Sequence, residues 1–323
     1  MPIKIPDGLP AVQTLRRENI FVMDEVRAAT QEIRPLEVLL LNLMPTKIAT
    51  ETQFARLLGN TPLQVELTLL KTATHKATHA SEGHMLAFYQ TFDQIRDRKF
   101  DGMVITGAPV ELLDFEDVEY WQELCEIFDW TRSNVYSTLH ICWGAQAALY
   151  HHYGVPKHRL PHKLFGVYPH TLDYRRSILF RGFDDMFMVP QSRYTTTLRD
   201  DIQCVPELQV LSSSDEAGVF AVKTAGGRQI FITGHAEYDA KTLDAEYRRD
   251  LAAGKPIDVP KNYYPDDDPS KPPRVTWRST ANLLFINWLN YFVYQSTPFE
   301  LADIGTERAG SWSDDVDEDD LAG

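Results

Sequence analysis

The first half of the chain alternates between short apolar segments and longer segments with helical spacing. Apolar runs that suit strands buried on both faces occupy residues 36–43, 63–70, 100–106 and 135–141. Each run is followed by a segment typical of a helix: residues 46–58, 84–96, 117–133 and 143–153. This alternation predicts right-handed βαβ units and a mostly parallel sheet with helices on both faces.

The second half predicts additions to that sheet. Residues 205–212, 219–224 and 228–233 are short strand patterns, and Ala225-Gly226-Gly227-Arg228 is typical of a hairpin turn between the last two. Residues 238–253 and 282–294 have helical spacing, whereas residues 263–273 are too rich in Pro and Asp for regular structure. We therefore predict an α/β fold of three flavodoxin-like layers, with antiparallel strands extending a mostly parallel sheet.

Composition excludes several classes of function. The chain has 323 residues and a net charge of −14, which disfavours nucleic acid and anionic membranes as partners. No apolar run reaches the ~20 residues of a membrane span, and the N-terminus has no apolar signal segment. Three cysteines, too few for a disulfide framework, favour a reducing cytoplasm. We predict one domain over residues 1–300 and a disordered acidic tail over residues 301–323.

Cys142 is the first candidate for chemistry. It ends the apolar run 135–141 and precedes a helix pattern whose first turns contain Gly144, Ala145, Ala147 and Ala148. A nucleophile on a tight strand-to-helix turn has this pattern, because small residues let the helix pack closely against the strand. The start of a helix also supplies positive potential that favours a thiolate.

His235 is the best placed of the ten histidines to serve as a base for Cys142. It also follows an apolar strand pattern directly, after Gly234, and Glu237 lies two residues further on. A carboxylate beside the imidazole can fix its tautomer and stabilise the imidazolium. The pattern His-x-Glu also occurs by chance in surface turns, so only its combination with Cys142 predicts a triad.

An oxyanion site needs two donors near the nucleophile. The backbone amide of Trp143, which follows Cys142, is one natural donor. Lys47 and Gly107 also follow predicted strand ends, where parallel strands converge, and they are candidates for the second.

Other polar residues carry weaker signals. From spacing alone, Lys163, Ser192 and Arg249 are ordinary surface residues. His75, His79 and His84 lie close in sequence, but the chain contains no HExxH pattern and no cysteine pair, so we predict no metal site. GxGxxG and Walker sequences are absent as well, which gives no sign of those nucleotide folds.

Several motifs in one order carry a family resemblance. They are LMPTK at 43–47, TGAP at 106–109, CW at 142–143, HKLFG at 162–166, SR at 192–193, GHAEY at 234–238, NY at 262–263, DDP at 267–269, WRS at 277–279 and NWLNY at 287–291. With these motifs the chain resembles the bacterial homoserine O-acyltransferases of methionine biosynthesis, which have the class I glutamine amidotransferase-like fold. The resemblance covers residues 1 to about 300 and leaves out the acidic tail.

The resemblance implies a role for each matching residue. Cys142 would carry the acyl group, His235 would be the general base and Glu237 its orienting acid. Substrate would contact Lys163, Ser192 and Arg249. Amidotransferases usually have Gly-x-Cys-x-Gly at the nucleophile, and His140 replaces the first glycine here, which argues against glutaminase activity.

Position 111 is expected to select the acyl donor. In the family that the chain resembles, glycine there goes with succinyl-CoA and glutamate with acetyl-CoA, and this chain has Glu111. A carboxylate would fill the space and repel the distal carboxylate of a succinyl group. The other interpretation is that Glu111 is a solvated loop residue.

The resemblance thus implies a cytoplasmic homoserine O-acetyltransferase at the first committed step of methionine synthesis from homoserine. It would work as a homodimer, with acetyl-CoA as co-substrate and no bound cofactor. Three alternatives remain: homoserine O-succinyltransferase, a cysteine hydrolase or glutaminase on the same fold, and a non-catalytic binding protein. Serine or another hydroxy amino acid could also replace homoserine as the acceptor.

Overall fold

Twelve strands form one sheet in the computed structural model, which describes residues 3–4, 8–17, 22–23, 34–74 and 81–305. In chain order the strands are β1 (Ile3–Lys4), β2 (Val22–Met23), β3 (Leu36–Leu41), β4 (Val65–Leu70), β5 (Tyr89–Gln90), β6 (Phe100–Ile105), β7 (Val135–Ile141), β8 (His158–Leu172), β9 (Met186–Thr196), β10 (Leu208–Ser214), β11 (Gly218–Thr224) and β12 (Gln229–Ile232). The main helices are α1 (Pro10–Arg17), α2 (Lys47–Leu58), α3 (Glu82–Phe88), α4 (Phe92–Ile95), α5 (Trp121–Asn134), α6 (Trp143–Tyr153), α7 (Arg199–Gln203), α8 (Thr242–Ala252) and α9 (Arg278–Asn287).

The sheet confirms the predicted fold class. Its order is β2-β1-β4-β3-β6-β7-β12-β11-β10-β8-β9, and β5 pairs with β4. Neighbours from β2 to β12 are parallel, and those from β12 to β9 are antiparallel. The apolar strands β3 and β6 lie in the parallel part, where both faces are covered. The hydrophobic core consists of two separate clusters of buried residues, one on each side of the sheet.

The predicted helix over residues 84–96 is wrong as a single element. The structure has α3, then the two-residue strand β5, then α4. Tyr89 pairs with Leu69 of β4, so the chain is extended there. Thr91 then caps α4 through a reciprocal contact with Gln94, which starts a new helix instead of continuing the old one.

The long hairpin of β8 and β9 was missed by the sequence interpretation. The two strands pair antiparallel from His158↔Thr196 to Thr171↔Met186, with an irregularity between Arg159 and Leu164. Lys163 therefore lies on β8 and Ser192 on β9. Gly166 lets the hairpin approach Lys261, since its φ is +144° and a Cβ there would lie 2.4 Å from the Lys261 carbonyl oxygen.

Strand register brings the predicted catalytic segments together. Ile141 of β7 pairs with Ile232 of β12, and the Cys142 N–H donates to the Ile232 carbonyl at 2.7 Å. Since β7 and β12 are parallel, the chain leaves both strands on the same edge of the sheet, at Cys142 and at the segment that leads to His235. This edge is where α/β sheets bind ligands.

The end of the described chain differs in detail from the prediction. A single helix was expected over residues 282–294, but α9 passes into a π-helical segment, Trp288–Tyr294. Trp288 is buried and donates from its indole N–H to Ser137 Oγ at 3.0 Å. Most of the predicted acidic tail, residues 306–323, lies outside the described residues. Within the described part of the chain, none of the helices combines the length and hydropathy that crossing a bilayer requires.

Candidate active site

Cys142 occupies a strained turn between β7 and α6. Its φ is +51° and its ψ is −117°, a combination that residues with a Cβ rarely adopt. The turn depends on Gly144, because a Cβ there would lie 2.6 Å from the Thr106 carbonyl oxygen. The missing side chain lets α6 start directly against the end of β6, and Cys142 is 8% exposed at that point.

His235 and Glu237 form a buried pair beside Cys142. His235 Nδ1 lies 2.7 Å from Glu237 Oε1, and the imidazole also hydrogen-bonds Cys142. The His235 N–H donates to the Pro190 carbonyl at 2.9 Å, which fixes the loop against β9. The Tyr238 ring stacks on the imidazole with centroids 4.1 Å apart. The structure therefore brings the three residues of the predicted triad into one chain of contacts.

The electrostatics of the triad favour a protonated imidazole. Burial acts to lower the pKa of His235, but the charges of Cys142 and Glu237 and the hydrogen bonds to them raise it well above its usual value. With Nδ1 directed at Glu237, the other ring nitrogen faces Cys142. This arrangement can take a proton from a thiol or hydroxyl and return it to a leaving group.

Two of the three oxyanion candidates lie beside the nucleophile. A Cβ on Gly107 would lie 3.2 Å from Cys142 Cβ and 3.7 Å from the Trp143 backbone nitrogen. Trp143 is the first residue of α6, where backbone N–H groups have no acceptor within the helix. The loop after β6 and the start of α6 thus converge beside Cys142.

Lys47, the third candidate, lies in a different setting. Its backbone N–H donates to the Pro45 carbonyl at 3.0 Å, and its ammonium donates to the Asn42 carbonyl at 2.5 Å. Burial lowers the pKa of Lys47 to about 8, although nearby Glu51 raises it. This geometry does not support Lys47 as an oxyanion donor.

Glu51 connects Lys47 to a buried polar cluster. Tyr89 donates from its hydroxyl to Glu51 Oε1 at 2.6 Å, and His84 Nε2 lies 3.0 Å from the same oxygen. His84, one of the three neighbouring histidines, is therefore paired with a carboxylate. His75 and His79 lie outside the described residues.

A different group has the composition of a metal site. Asp129, His151 and His152 bring their ligand atoms within 4.8 Å of one another, on α5 and α6. His151 Nε2 lies 2.8 Å from Asp129 Oδ1, so a hydrogen bond between these two side chains accounts for the contact without an ion.

The predicted substrate residues converge on one carboxylate. Lys163 Nζ lies 2.6 Å from Glu246 Oε1, and Ser192 Oγ donates to the two Glu246 oxygens at 3.0 and 2.9 Å. Arg249, one turn further along α8, lies 3.7 Å from Glu246 and donates to Asp250 at 2.8 Å. Tyr238 joins this group to the triad, since it stacks on His235 and interacts electrostatically with Glu246.

Glu111 is anchored and only partly exposed. Its carboxylate accepts a hydrogen bond from the Tyr194 N–H at 2.8 Å, and Thr195 Oγ1 lies 3.3 Å away. Burial raises the pKa of Glu111, while those two hydrogen bonds and the charges of Arg193 and Lys163 lower it. The interpretation of Glu111 as a solvated loop residue is wrong, because its carboxylate is bound to β9.

Glu246 and Tyr238 are site residues that sequence reasoning missed. Glu246 precedes Arg249 by three positions, so the two share a helix face, and this spacing was available as a signal. Tyr238 follows Glu237 directly, but nothing in the sequence indicates that its ring stacks on His235.

Comparisons with known proteins identify the family of this chain. A sequence model of the family described as homoserine O-succinyltransferase matches residues 2–299. A homoserine O-acetyltransferase of Brevibacillus brevis is 63% identical over 301 residues, which cover 93% of this chain and 98% of that protein. A homoserine O-acetyltransferase of Acetivibrio thermocellus is 60% identical over 304 residues, covering 94% of this chain and all of that protein.

The solved structures bear on the fold alone. A glutamine amidotransferase of Thermotoga maritima superposes with a TM-score of 0.51 and 13% identity, covering 81% of this chain and all of that one. The likeness agrees with the fold expected from the sequence. By its match over residues 2–299 and its relatives at about 60% identity, the chain belongs to the homoserine O-succinyltransferase family of acyltransferases.

Proposed function

We propose that this chain is a homoserine O-acetyltransferase that moves an acetyl group from acetyl-CoA to the L-homoserine hydroxyl through a thioester on Cys142. The observation that carries the mechanism is a chain of contacts that runs from Cys142, at the start of α6, through His235 to Glu237. The acetyl donor is supported by the names of the relatives and by the anchored Glu111 carboxylate.

In the first half-reaction the Cys142 thiolate attacks the thioester carbonyl carbon of acetyl-CoA. The carbonyl π electrons move to oxygen, and we assign the stabilisation of that oxyanion to the N–H groups of Trp143 and Gly107, because both residues lie beside Cys142. When the carbonyl forms again, the bond to the CoA sulfur breaks. The CoA thiolate takes the proton from His235, and the acetyl group stays on Cys142.

In the second half-reaction the homoserine hydroxyl attacks the Cys142 thioester. His235 takes the hydroxyl proton, and Glu237 stabilises the imidazolium that results. A second tetrahedral oxyanion collapses, the Cys142 sulfur leaves as thiolate, and O-acetylhomoserine departs. The thioester donor supplies all the activation, so the reaction as written needs no resident cofactor.

We infer that the acceptor binds between α8 and the β8–β9 hairpin. Homoserine carries an ammonium and a carboxylate, and this region offers both signs of charge. Arg249 is 65% exposed at its side chain, so its guanidinium is accessible to the substrate carboxylate. Glu246 presents a carboxylate to the ammonium, and Lys163 and Ser192 hold that carboxylate in place.

Intact-protein mass spectrometry tests the covalent step and the donor together. The protein is mixed with acetyl-CoA or with succinyl-CoA in the absence of homoserine. We expect the mass of one acetyl group to appear with acetyl-CoA and to disappear when homoserine is added, with formation of O-acetylhomoserine. Faster acylation by succinyl-CoA would instead support a homoserine O-succinyltransferase. Release of free acetate without an O-acyl amino acid would indicate a hydrolase.

We also propose that the enzyme acts as a cytoplasmic homodimer, with one catalytic domain over residues 1–300. Within the described residues the three cysteines are free, as suits a reducing compartment. Sedimentation equilibrium measures the oligomeric state directly, and a single monomeric species at working concentrations would contradict the dimer.

A further inference from the structure

Arg193 is a buried cation whose hydrogen-bond acceptors are all neutral. The residue is 1% exposed. Its guanidinium donates to Gln191 Oε1 at 3.1 Å, to the Thr195 carbonyl at 2.8 Å and to the Ala217 carbonyl at 2.5 Å. Burying a charge with no carboxylate among its hydrogen-bond partners costs several kcal/mol in general. A neutral side chain could fill the same space, so the charge itself needs an explanation.

Two of the titratable groups that interact with Arg193, the Cys142 sulfur and the Glu111 carboxylate, belong to the candidate active site, and the interaction with Cys142 is the larger. A third is the Tyr168 hydroxyl on β8, which is neutral at neutral pH because burial raises its pKa. His170 on β8 is the other titratable neighbour, and burial lowers its pKa to about 4, so it carries no charge at neutral pH. The remaining groups that interact with Cys142 are His235 and Tyr238.

The strand that carries Arg193 is tied to both sides of the site. Pro190, three residues earlier, accepts the hydrogen bond from the His235 N–H at 2.9 Å. Thr195, two residues later, donates to Gln146 Oε1 of α6 at 2.8 Å. The guanidinium is thus held in a fixed place between the loop of the base and the helix of the nucleophile.

We propose that Arg193 is a positioning residue whose fixed positive charge holds the Cys142 sulfur in its thiolate form. When the Cys142 proton moves to His235, the electron pair stays on sulfur, and the guanidinium stabilises that negative charge without touching it. The hydrogen-bond ligands of Arg193 are neutral, and the Glu111 carboxylate that also faces it accepts its hydrogen bond from the Tyr194 N–H instead, so the charge of the guanidinium remains available to Cys142. This role of Arg193 rests on the proposed function, because it concerns the residue that the proposed function uses as its nucleophile, Cys142.

The effect of the Arg193 charge on Cys142 is tested by measuring, as a function of pH, the rate at which iodoacetamide alkylates Cys142. Peptide mass spectrometry separates Cys142 from Cys125 and Cys204. We expect Arg193→Gln, which is neutral, to raise the pH midpoint of alkylation and slow the reaction at neutral pH on the order of tenfold. Arg193→Lys keeps the charge but not the fork of hydrogen bonds, and its midpoint should stay close to that of the unmodified chain.

Arg228 supplies a matched control. Its guanidinium also donates to backbone carbonyls, those of Tyr136 and Val135, but at the opposite end of β7 from Cys142. Arg228→Gln should leave the midpoint unchanged. The proposal is overturned if folded Arg193→Gln keeps the original midpoint, or if Arg193→Lys shifts as far as Arg193→Gln.

A second variant covers the case in which Arg193→Gln does not fold. Gln191→Glu keeps the arginine and gives its guanidinium a carboxylate partner at the 3.1 Å contact. We expect the midpoint to rise, and an unchanged midpoint would contradict the proposal. Alkylation needs neither acetyl-CoA nor homoserine, so its outcome is independent of whether the proposed transfer reaction is correct.

Discussion

Glu111 and Tyr194 are joined by a hydrogen bond of 2.8 Å from the Tyr194 N–H to the Glu111 carboxylate. Tyr194 lies two residues after Ser192 on β9, so the loop after β6 is attached to the strand that also contributes to the proposed acceptor site. The carboxylate at position 111 is therefore held in a fixed place beside that proposed site. This contact gives the expected donor preference a structural basis.

Glu111→Gly should shift the preference of the enzyme towards succinyl-CoA. The change opens space, removes a repelling charge, and leaves the Tyr194 N–H and the Thr195 hydroxyl for another carboxylate. We expect the ratio of kcat/KM for succinyl-CoA to that for acetyl-CoA to rise on the order of tenfold or more. Glu111→Gln keeps the volume of the side chain but removes its charge, so this variant separates the effect of the charge from the effect of the added space. An unchanged ratio in both variants would assign donor choice to another residue.

Cys142→Ala should abolish acyl transfer and the acyl-enzyme. Without the sulfur no thioester forms, and we expect kcat to fall by more than about a thousandfold. The measurement is turnover of acetyl-CoA and homoserine, with intact mass read in parallel. Cys204→Ala alters an exposed cysteine and should leave both signals intact. Rapid turnover by Cys142→Ala would exclude the covalent mechanism.

Glu246→Gln should affect the acceptor half-reaction alone. Glu246 contacts Lys163 and Ser192 but is not part of the triad. We expect KM for homoserine to rise on the order of tenfold, with acylation by acetyl-CoA unchanged in a single-turnover measurement. Asp244→Asn, on the same helix but paired with Arg248, is the control. Slower acylation in Glu246→Gln would place this carboxylate in the first half-reaction instead.

Gly144→Ala should destabilise the protein and disturb the nucleophile turn. The added Cβ would meet the Thr106 carbonyl at 2.6 Å, and backbone cannot move aside easily. We expect a loss of roughly 1–3 kcal/mol in the free energy of unfolding, measured by urea denaturation. Gly83→Ala, in α3, meets nothing within 4 Å and should be neutral or stabilising by up to about 1 kcal/mol. Equal stability of the two variants would contradict the close approach at Gly144.

Lys47 should make stability rise with pH in the alkaline range. Burial lowers its pKa to about 8 in the folded chain, whereas an unfolded lysine titrates near ~10.4. Between these values the unfolded state binds more protons, so raising the pH favours the folded state. Relative to Lys47→Met, the unmodified chain should gain up to about 3 kcal/mol from pH ~8 to pH ~10.5. Urea denaturation across that range measures the difference, and a constant difference would contradict the lowered pKa.

Local patterns were sufficient to predict the centre of the fold and the proximity of Cys142 to His235. The central parallel strands are mainly apolar runs, and Cys142 and His235 each lie just after the end of such a run. Once two strands are neighbours in a parallel sheet, residues after their carboxyl ends must lie close together. This geometric rule explains why Cys142, His235 and Gly107 could be associated without knowledge of the coordinates.

The β8–β9 hairpin could not be predicted in the same way. β8 contains Pro161 and Pro169 and five basic side chains, three of them histidines, so its pattern lacks apolar alternation. Its stability comes from pairing with β9, a long-range property that no local pattern contains. For the same reason Lys163 and Ser192 looked like surface residues, and their shared partner Glu246 was not predicted.

The positive φ of Cys142 has a consequence for how this protein can change. Any residue with a Cβ at that position bears the same backbone strain, and glycine alone would relieve it. A substitution that improves the fold here removes the sulfur on which the proposed chemistry depends. At position 142, selection for stability and selection for the proposed activity therefore favour different amino acids.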